Sequence, residues 1–172
     1  MLVGGSSSAG SLTDRQLAAP SAEEQFAGDG FTIAVPAGWR VERMASDSVA
    51  VYDHDPAADA SSSVCKIEVS AFPFAPSDDE GAWIAARIGA DPSLKVVEES
   101  SGDVAVNGGT GVRWDGMIDG VPTTLVYAFS ANHAYEIAPS VVSNVAGAAG
   151  TDAATALCDD ALDTILSQFS MQ

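Results

Sequence analysis

Positive charge is what this chain has least of. Seven Lys and Arg stand against 24 Asp and Glu in 172 residues, a formal net charge of -17. A field of that sign repels phosphate backbones and anionic headgroups, so neither nucleic acid nor a membrane surface is an expected partner. Long apolar runs are missing too. Nothing approaches the ~18 to 20 residues of a membrane span, and no basic segment followed by an apolar one marks a signal peptide. Two cysteines and two histidines are too few and too scattered for a zinc site, and no metal or cofactor is expected. There is no G-x-S-x-G elbow, no H-E-x-x-H and no Gly-rich phosphate loop ending in Lys-Ser/Thr, so no catalytic residue is assigned. The acidity itself, with Asp exceeding Glu and only Lys66 and Lys95 as lysines, reads as a solvated surface.

What is present divides into a tether and a domain. Residues 1–28 are rich in Gly, Ser, Ala and Gln with Pro20 among them, and are expected to be a flexible tether with a short helical turn over Ser21 to Phe26. Leu2-Val3-Gly4 resembles the tail of a bacterial lipoprotein signal, whose lipidated cysteine would stand where Gly5 is. Either the anchoring cysteine has been replaced, or this is an ordinary Gly/Ser leader. Residues 29–172 are expected to form a single domain, and roughly 140 residues can bury one sizeable core unaided.

The domain is organised around a β-meander from Asn107 to Ile137. Val112, Trp114 and Ile118 share one parity and Leu125, Tyr127 and Phe129 repeat it, giving successive strands a common apolar face. Asp119-Gly120 supplies the positive φ angles of a type I′ turn, and Asn132-His133 is a weaker second turn. Earlier strands are expected at Phe31 to Val35, Trp39 to Met44 and Ser48 to Asp53. The alternation is cleanest over Ser63 to Phe72, where Cys65, Ile67, Val69 and Ala71 oppose Lys66, Glu68 and Ser70. Ser77-Asp78-Asp79-Glu80 reads as a capping box opening a helix to about Ile88 that Gly89 closes. Leu94 to Glu99 and Asp103 to Val106 read as two strands, and Ala138 to Gly150 as a loop. From Thr151 to about Ser170 a helix carries Ala154, Cys158, Ala161, Leu162, Ile165 and Phe169 in one stripe, with Asp159, Asp160, Asp163 and Ser167 opposite.

Cys65 on its strand and Cys158 on its helix both point into the layer between sheet and helix. A disulfide between them is expected, closing a loop of 93 residues; two buried free thiols are the alternative. Other candidate sites reduce to structural roles. The loop Asp53-His54-Asp55-Pro56-Ala57-Ala58-Asp59 is dense in hard ligands, but Ala58 stands where a calcium loop needs Gly and Val64 where it needs a bidentate Glu. His133 is a turn residue first. Gly108-Gly109 lies between strands, so a hairpin accounts for it better than a phosphate cradle. Trp39, Trp83 and Trp114 could line a ligand groove, but each falls in a regular apolar pattern that suits core packing.

Phe31, Pro36, Gly38 and Trp39 form an F-x-x-x-x-P-x-G-W strand and turn. Asn107, Gly108 and Gly111 precede the central strands, and Tyr135 and Ile137 precede the last helix. In these features residues 29–170 resemble the PsbP-like superfamily, most of all the actinobacterial LpqN-type lipoproteins. The resemblance implies an α+β fold, an α/β/α sandwich around a central antiparallel sheet. It also implies a non-enzymatic role, since photosystem subunits, a Ran-GTPase-binding branch, secretion-effector chaperones and surface lipoproteins work by binding another protein. The expected function is therefore an exported, lipid-anchored protein-binding module of the cell envelope. The alternatives are a small-molecule or lipid carrier with an apolar cavity, and a hydrolase whose site would bring His54 or His133 beside a Ser or Asp.

Overall fold

The computed structural model describes residues 24–54, 63–107, 109–143 and 151–172. Ten strands and two helices follow one another in these segments: β1 (Glu24–Ala27), β2 (Phe31–Val35), β3 (Arg40–Ala45), β4 (Ser48–Tyr52), β5 (Ser63–Pro73), α1 (Glu80–Ile88), β6 (Val96–Val106), β7 (Gly109–Ile118), β8 (Val121–Phe129), β9 (His133–Ser143), α2 (Thr151–Gln168) and β10 (Ser170–Met171). The fold is α+β, dominated by antiparallel sheet.

A seven-stranded sheet has the order β3-β4-β5-β9-β8-β7-β6, and a three-stranded sheet the order β1-β2-β10. The large sheet is two meanders, β3-β4-β5 and β6-β7-β8-β9, joined along β5 and β9 in register from Ser63 opposite Ser143 to Pro73 opposite His133. Asp119 (φ 52) and Gly120 (φ 79) both take the left-handed region expected of the tight β7–β8 turn.

The alternation of β5 decides which face carries the main core. Cys65, Ile67 and Val69 are fully buried, together with Phe31, Ile33 and Val35 of β2, the α2 stripe from Cys158 to Leu166, and Phe169 just after the helix. Tyr135 of β9 ties this layer at one end. Its ring meets Phe31 at 6.2 Å and Phe169 at 5.2 Å, and its hydroxyl donates to the Gly30 carbonyl at 2.7 Å. The opposite face is covered by α1, where Trp83, Ile84 and Ile88 meet Trp114, Leu125 and Tyr127. A bidentate pair from Arg87 to Glu136, both bonds 3.0 Å, holds α1 down.

The boundaries correct several expectations. Glu24–Ala27 is neither tether nor helical turn but a strand paired with Thr32 to Val35, because β2 needs a partner on each edge. The rest of the expected tether, 1–23, lies outside the described residues. The helix is capped by Asp79, whose side chain accepts from Ala82 N–H at 2.7 Å, so Ser77 is not the cap. One strand, β6, spans the two expected ones, with a bulge between Glu98 and Ser100; an exposed edge strand tolerates Ser-Ser-Gly because only its β7 side must be paired. β9 runs on to Ser143, through the expected loop, since the whole of β5 pairs with it; residues 144–150 lie outside the described residues. After α2 the chain adds β10, which pairs with β2.

Two outcomes test this account. Removing the Cys65–Cys158 bond by double alanine substitution should lower unfolding free energy by on the order of 4 to 5 kcal/mol, read by urea unfolding beside the reduced parent chain. The Tyr127 hydroxyl is buried with no well-formed hydrogen bond, because both oxygens of the neighbouring Glu136 are engaged by Arg87; burial, then that carboxylate, push the tyrosine's ionisation upward. Tyr127→Phe should therefore raise stability by roughly 0.5 to 1 kcal/mol. It should also blunt alkaline unfolding above about pH 10, where the unfolded tyrosine ionises and the buried one resists.

Candidate functional site

α2 is narrower than the sheet it covers. It lies along the β5–β9 seam, fixed there by the Cys65–Cys158 disulfide with Cα atoms 5.4 Å apart. The Cys158 sulfur also lies 3.5 Å from the Ser140 carbonyl of β9. Beside the helix, the same face of β7 and β8 is left uncovered near their hairpin. Between the two runs an open groove of about 540 Å³. Pro122 and Thr124 of β8, Gly116 of β7, and Pro139 and Val141 of β9 contribute from the sheet. Thr155, Cys158 and Asp159 contribute from α2, and Glu99 from β6. Gly116 is required here, because a Cβ would collide with the Val97 carbonyl. A smaller groove of about 380 Å³ lies between β6 and the last turns of α2, lined by Val104, Asn107, Asp163 and Leu166 among others.

One polar cluster shapes the larger groove. Asp115 on β7 faces Thr124 across the β7–β8 ladder and accepts its hydroxyl at 2.6 Å. Arg113, two residues back on the same face, donates its Nε to both Asp115 oxygens at 3.1 and 2.9 Å. Its guanidinium also feels Asp159 and Asp163 of α2. The Arg113 bond, reinforced by Thr124, holds the Asp115 carboxyl below the usual carboxylate range. The alternation of Arg113 and Asp115 with Val112 and Trp114 was the only sequence signal for this cluster. The groove as a whole draws on five elements, β6 through α2, and no local pattern announces it.

The structure joins Cys65 to Cys158 and keeps the other candidate residues apart. Asp53 works at the β4–β5 end, where its carboxylate accepts from Cys65 N–H at 3.0 Å and lies 3.0 Å from His54 Nδ1. Asp55, Ala57, Ala58 and Asp59 are outside the described residues. His133 opens β9 with its Nδ1 buried and unpartnered, its ring 5.9 Å from that of Tyr135. Tyr52, two residues before His54, pairs with Lys66, whereas His133 pairs with Pro73. These β5 positions are roughly 23 Å apart at ~3.3 Å per residue, so the histidines cannot share a site. Trp39 packs on the main core and Trp83 on the second. Trp114 is 2% exposed, with its indole N–H on Glu98 at 3.1 Å. None of the three lines the larger groove. Asn107 takes φ 38 in the β6–β7 hairpin, and Gly109 starts β7 there, opposite Val106; Gly108 lies outside the described residues.

No family model and no curated protein sequence matches the chain. Its backbone is similar to the solution structure of cyanobacterial PsbP (CyanoP) from Synechocystis sp. PCC 6803, with TM-score 0.55, 10% identity and 98% of each chain covered. The fold is PsbP-like. A crystal structure from Bacteroides thetaiotaomicron aligns with TM-score 0.45 and 14% identity over 88% of this chain. This chain spans about half of that protein's length, 48%.

The Asp115 cluster makes a pH-dependent prediction. A carboxyl whose folded-state value is depressed stabilises the fold above its unfolded value, about 3.9, and this contribution is lost as pH falls through the folded value. Asp115→Asn should lower stability at pH 7 by about 1 kcal/mol. Its deficit against the parent chain should shrink below about pH 4, which urea unfolding at neutral and acid pH will read.

Proposed function

We propose that this chain is an exported, non-enzymatic protein-binding module of the cell envelope, a lipoprotein of the LpqN type with the α/β/α layering of the PsbP-like proteins. The observation that carries the reading is the open groove of about 540 Å³ beside a helix that a disulfide fixes to the sheet. A rigid wall reduces the ordering cost of binding, which favours recognition of a partner. The disulfide supports export, since such bonds persist in oxidising compartments. Lipid anchoring would come from the N-terminal segment, which precedes the domain.

The volume of the groove favours a second reading, a small-molecule carrier, because it lies in the range of ligand pockets. Against an apolar cargo stand Glu99, Asp115 and Asp159 in the lining, which a lipid chain would desolvate without pairing. A hydrolase fits least, since His54 with its neighbour Asp53 and His133 at the other end of β5 both lie outside the groove.

Site-specific photo-crosslinking in the source cells separates these readings. A photoreactive side chain at Thr155, on the groove wall, should give a discrete protein adduct in the envelope fraction. The same side chain at Glu42, on the far edge strand, should not. No Thr155 adduct, together with a small molecule extracted from the purified chain, would replace the binding module by the carrier.

A further inference from the structure

We propose that the groove takes a basic segment of a partner protein, with Lys or Arg side chains meeting Glu99 and Asp159 and apolar neighbours resting on Val141 and the two prolines. The inference rests on the groove being the binding surface and specifies the chemistry of what enters it.

The carboxylates in the lining are not equivalent. Asp115 is already engaged by Arg113 and Thr124. Among the described residues, Glu99 and Asp159 have no contact ion pair, since Lys66, Arg87 and Arg113 pair with Glu68, Glu136 and Asp115. Among the described residues the lining contains three carboxylates and no Lys or Arg; Arg113, bonded to Asp115, offsets Asp159 only through space, so Glu99 and Asp159 keep a net negative charge in a concave, partly apolar site. Pro122 and Pro139 offer no N–H to an anion. Apolar surface is exposed beside them at Val121, which is in the lining and 61% exposed. A cation flanked by apolar side chains satisfies both features at once.

Charge favours a foreign partner over a second copy. Two chains of net charge -17 repel, and most of the seven basic residues hold the chain's own fold. Besides the three ion pairs above, Arg43 donates to the Ala27 carbonyl at 3.0 Å and covers the Phe26 ring at 4.7 Å.

The test uses the full chain against a displayed library of random nine-residue peptides. Selected peptides should be enriched in Lys or Arg with apolar neighbours. Their binding should shift amide resonances of Gly116, Thr124, Val141 and Thr155. Glu99→Gln with Asp159→Asn should weaken binding about five- to tenfold, as expected for two exposed charge pairs. Asp29→Asn with Glu42→Gln, an equal charge change away from the groove, should leave it within about twofold. Thermal melts of both double variants establish that they fold. Equal loss in the two variants would mean diffuse attraction to an acidic protein and overturn the proposal. Groove-mapped peptides lacking basic enrichment would remove the cation and leave the groove standing. Peptides mapping elsewhere would remove both. Spermine binding at the same residues as tightly as the peptides, or a groove-mapped dimer in sedimentation, would replace the partner protein by a polycation or a second copy.

Discussion

The ladder between β5 and β9 is the long-range contact on which the rest of the molecule depends. Each meander is local, its strands joined by short turns, but neither has a second neighbour for its last strand until β5 meets β9. Closing so large a loop costs entropy that no hairpin recovers by itself. The return comes from burial, since the β5 face bearing Cys65, Ile67 and Val69 lies beside Tyr135 and Ile137 of β9 and under α2. The disulfide acts on the same seam. It ties β5 to the element that follows β9, so the unfolded chain keeps the two halves tethered even when the ladder is open.

The groove follows from that geometry. A single helix of 18 residues fixed along the seam cannot cover seven strands, and β7–β8 near their hairpin remain open on that face. On the other face α1 is placed over this same region, with Trp83 and Ile84 against Trp114 and Leu125. The uncovered strands are therefore supported from behind. A Gly at position 116 and the bulge between Glu98 and Ser100 let β6 follow β7 closely there, which carries Glu99 to the groove.

Much of the fold was legible because alternation and amphipathicity are local. The β5 face, the α2 stripe and the Asp119-Gly120 turn all appear in the sequence as patterns with period two, 3.6, or a turn dipeptide. The facing of Cys65 and Cys158 followed from two such patterns combined. Illegible were the segments whose structure is set by a partner. Glu24–Ala27 and Ser170–Met171 are strands because β2 offers them edges, and β9 is long because β5 is long. Edge strand β6 had no apolar alternation to show, being exposed along most of its length. The groove was hidden for the same reason, since its lining residues meet only through sheet order.

Scarcity of positive charge connects the fold to its surface. Arg87 clamps α1 to β9, Arg113 is held by Asp115 on the sheet, Lys66 faces Glu68 at 2.7 Å within β5, and Arg43 bridges β3 to the end of β1. These cations are placed where two elements, or two neighbouring side chains, must be fixed. An acidic chain that places its cations this way leaves surface carboxylates without internal partners, and solvent screens most of them on convex ground. In a concave site with apolar surface around it, screening is weaker and the field is focused. Glu99 and Asp159 line such a site, so the proposed selectivity for a cationic segment would arise beside α2 from the same composition that reads as a bland solvated surface elsewhere.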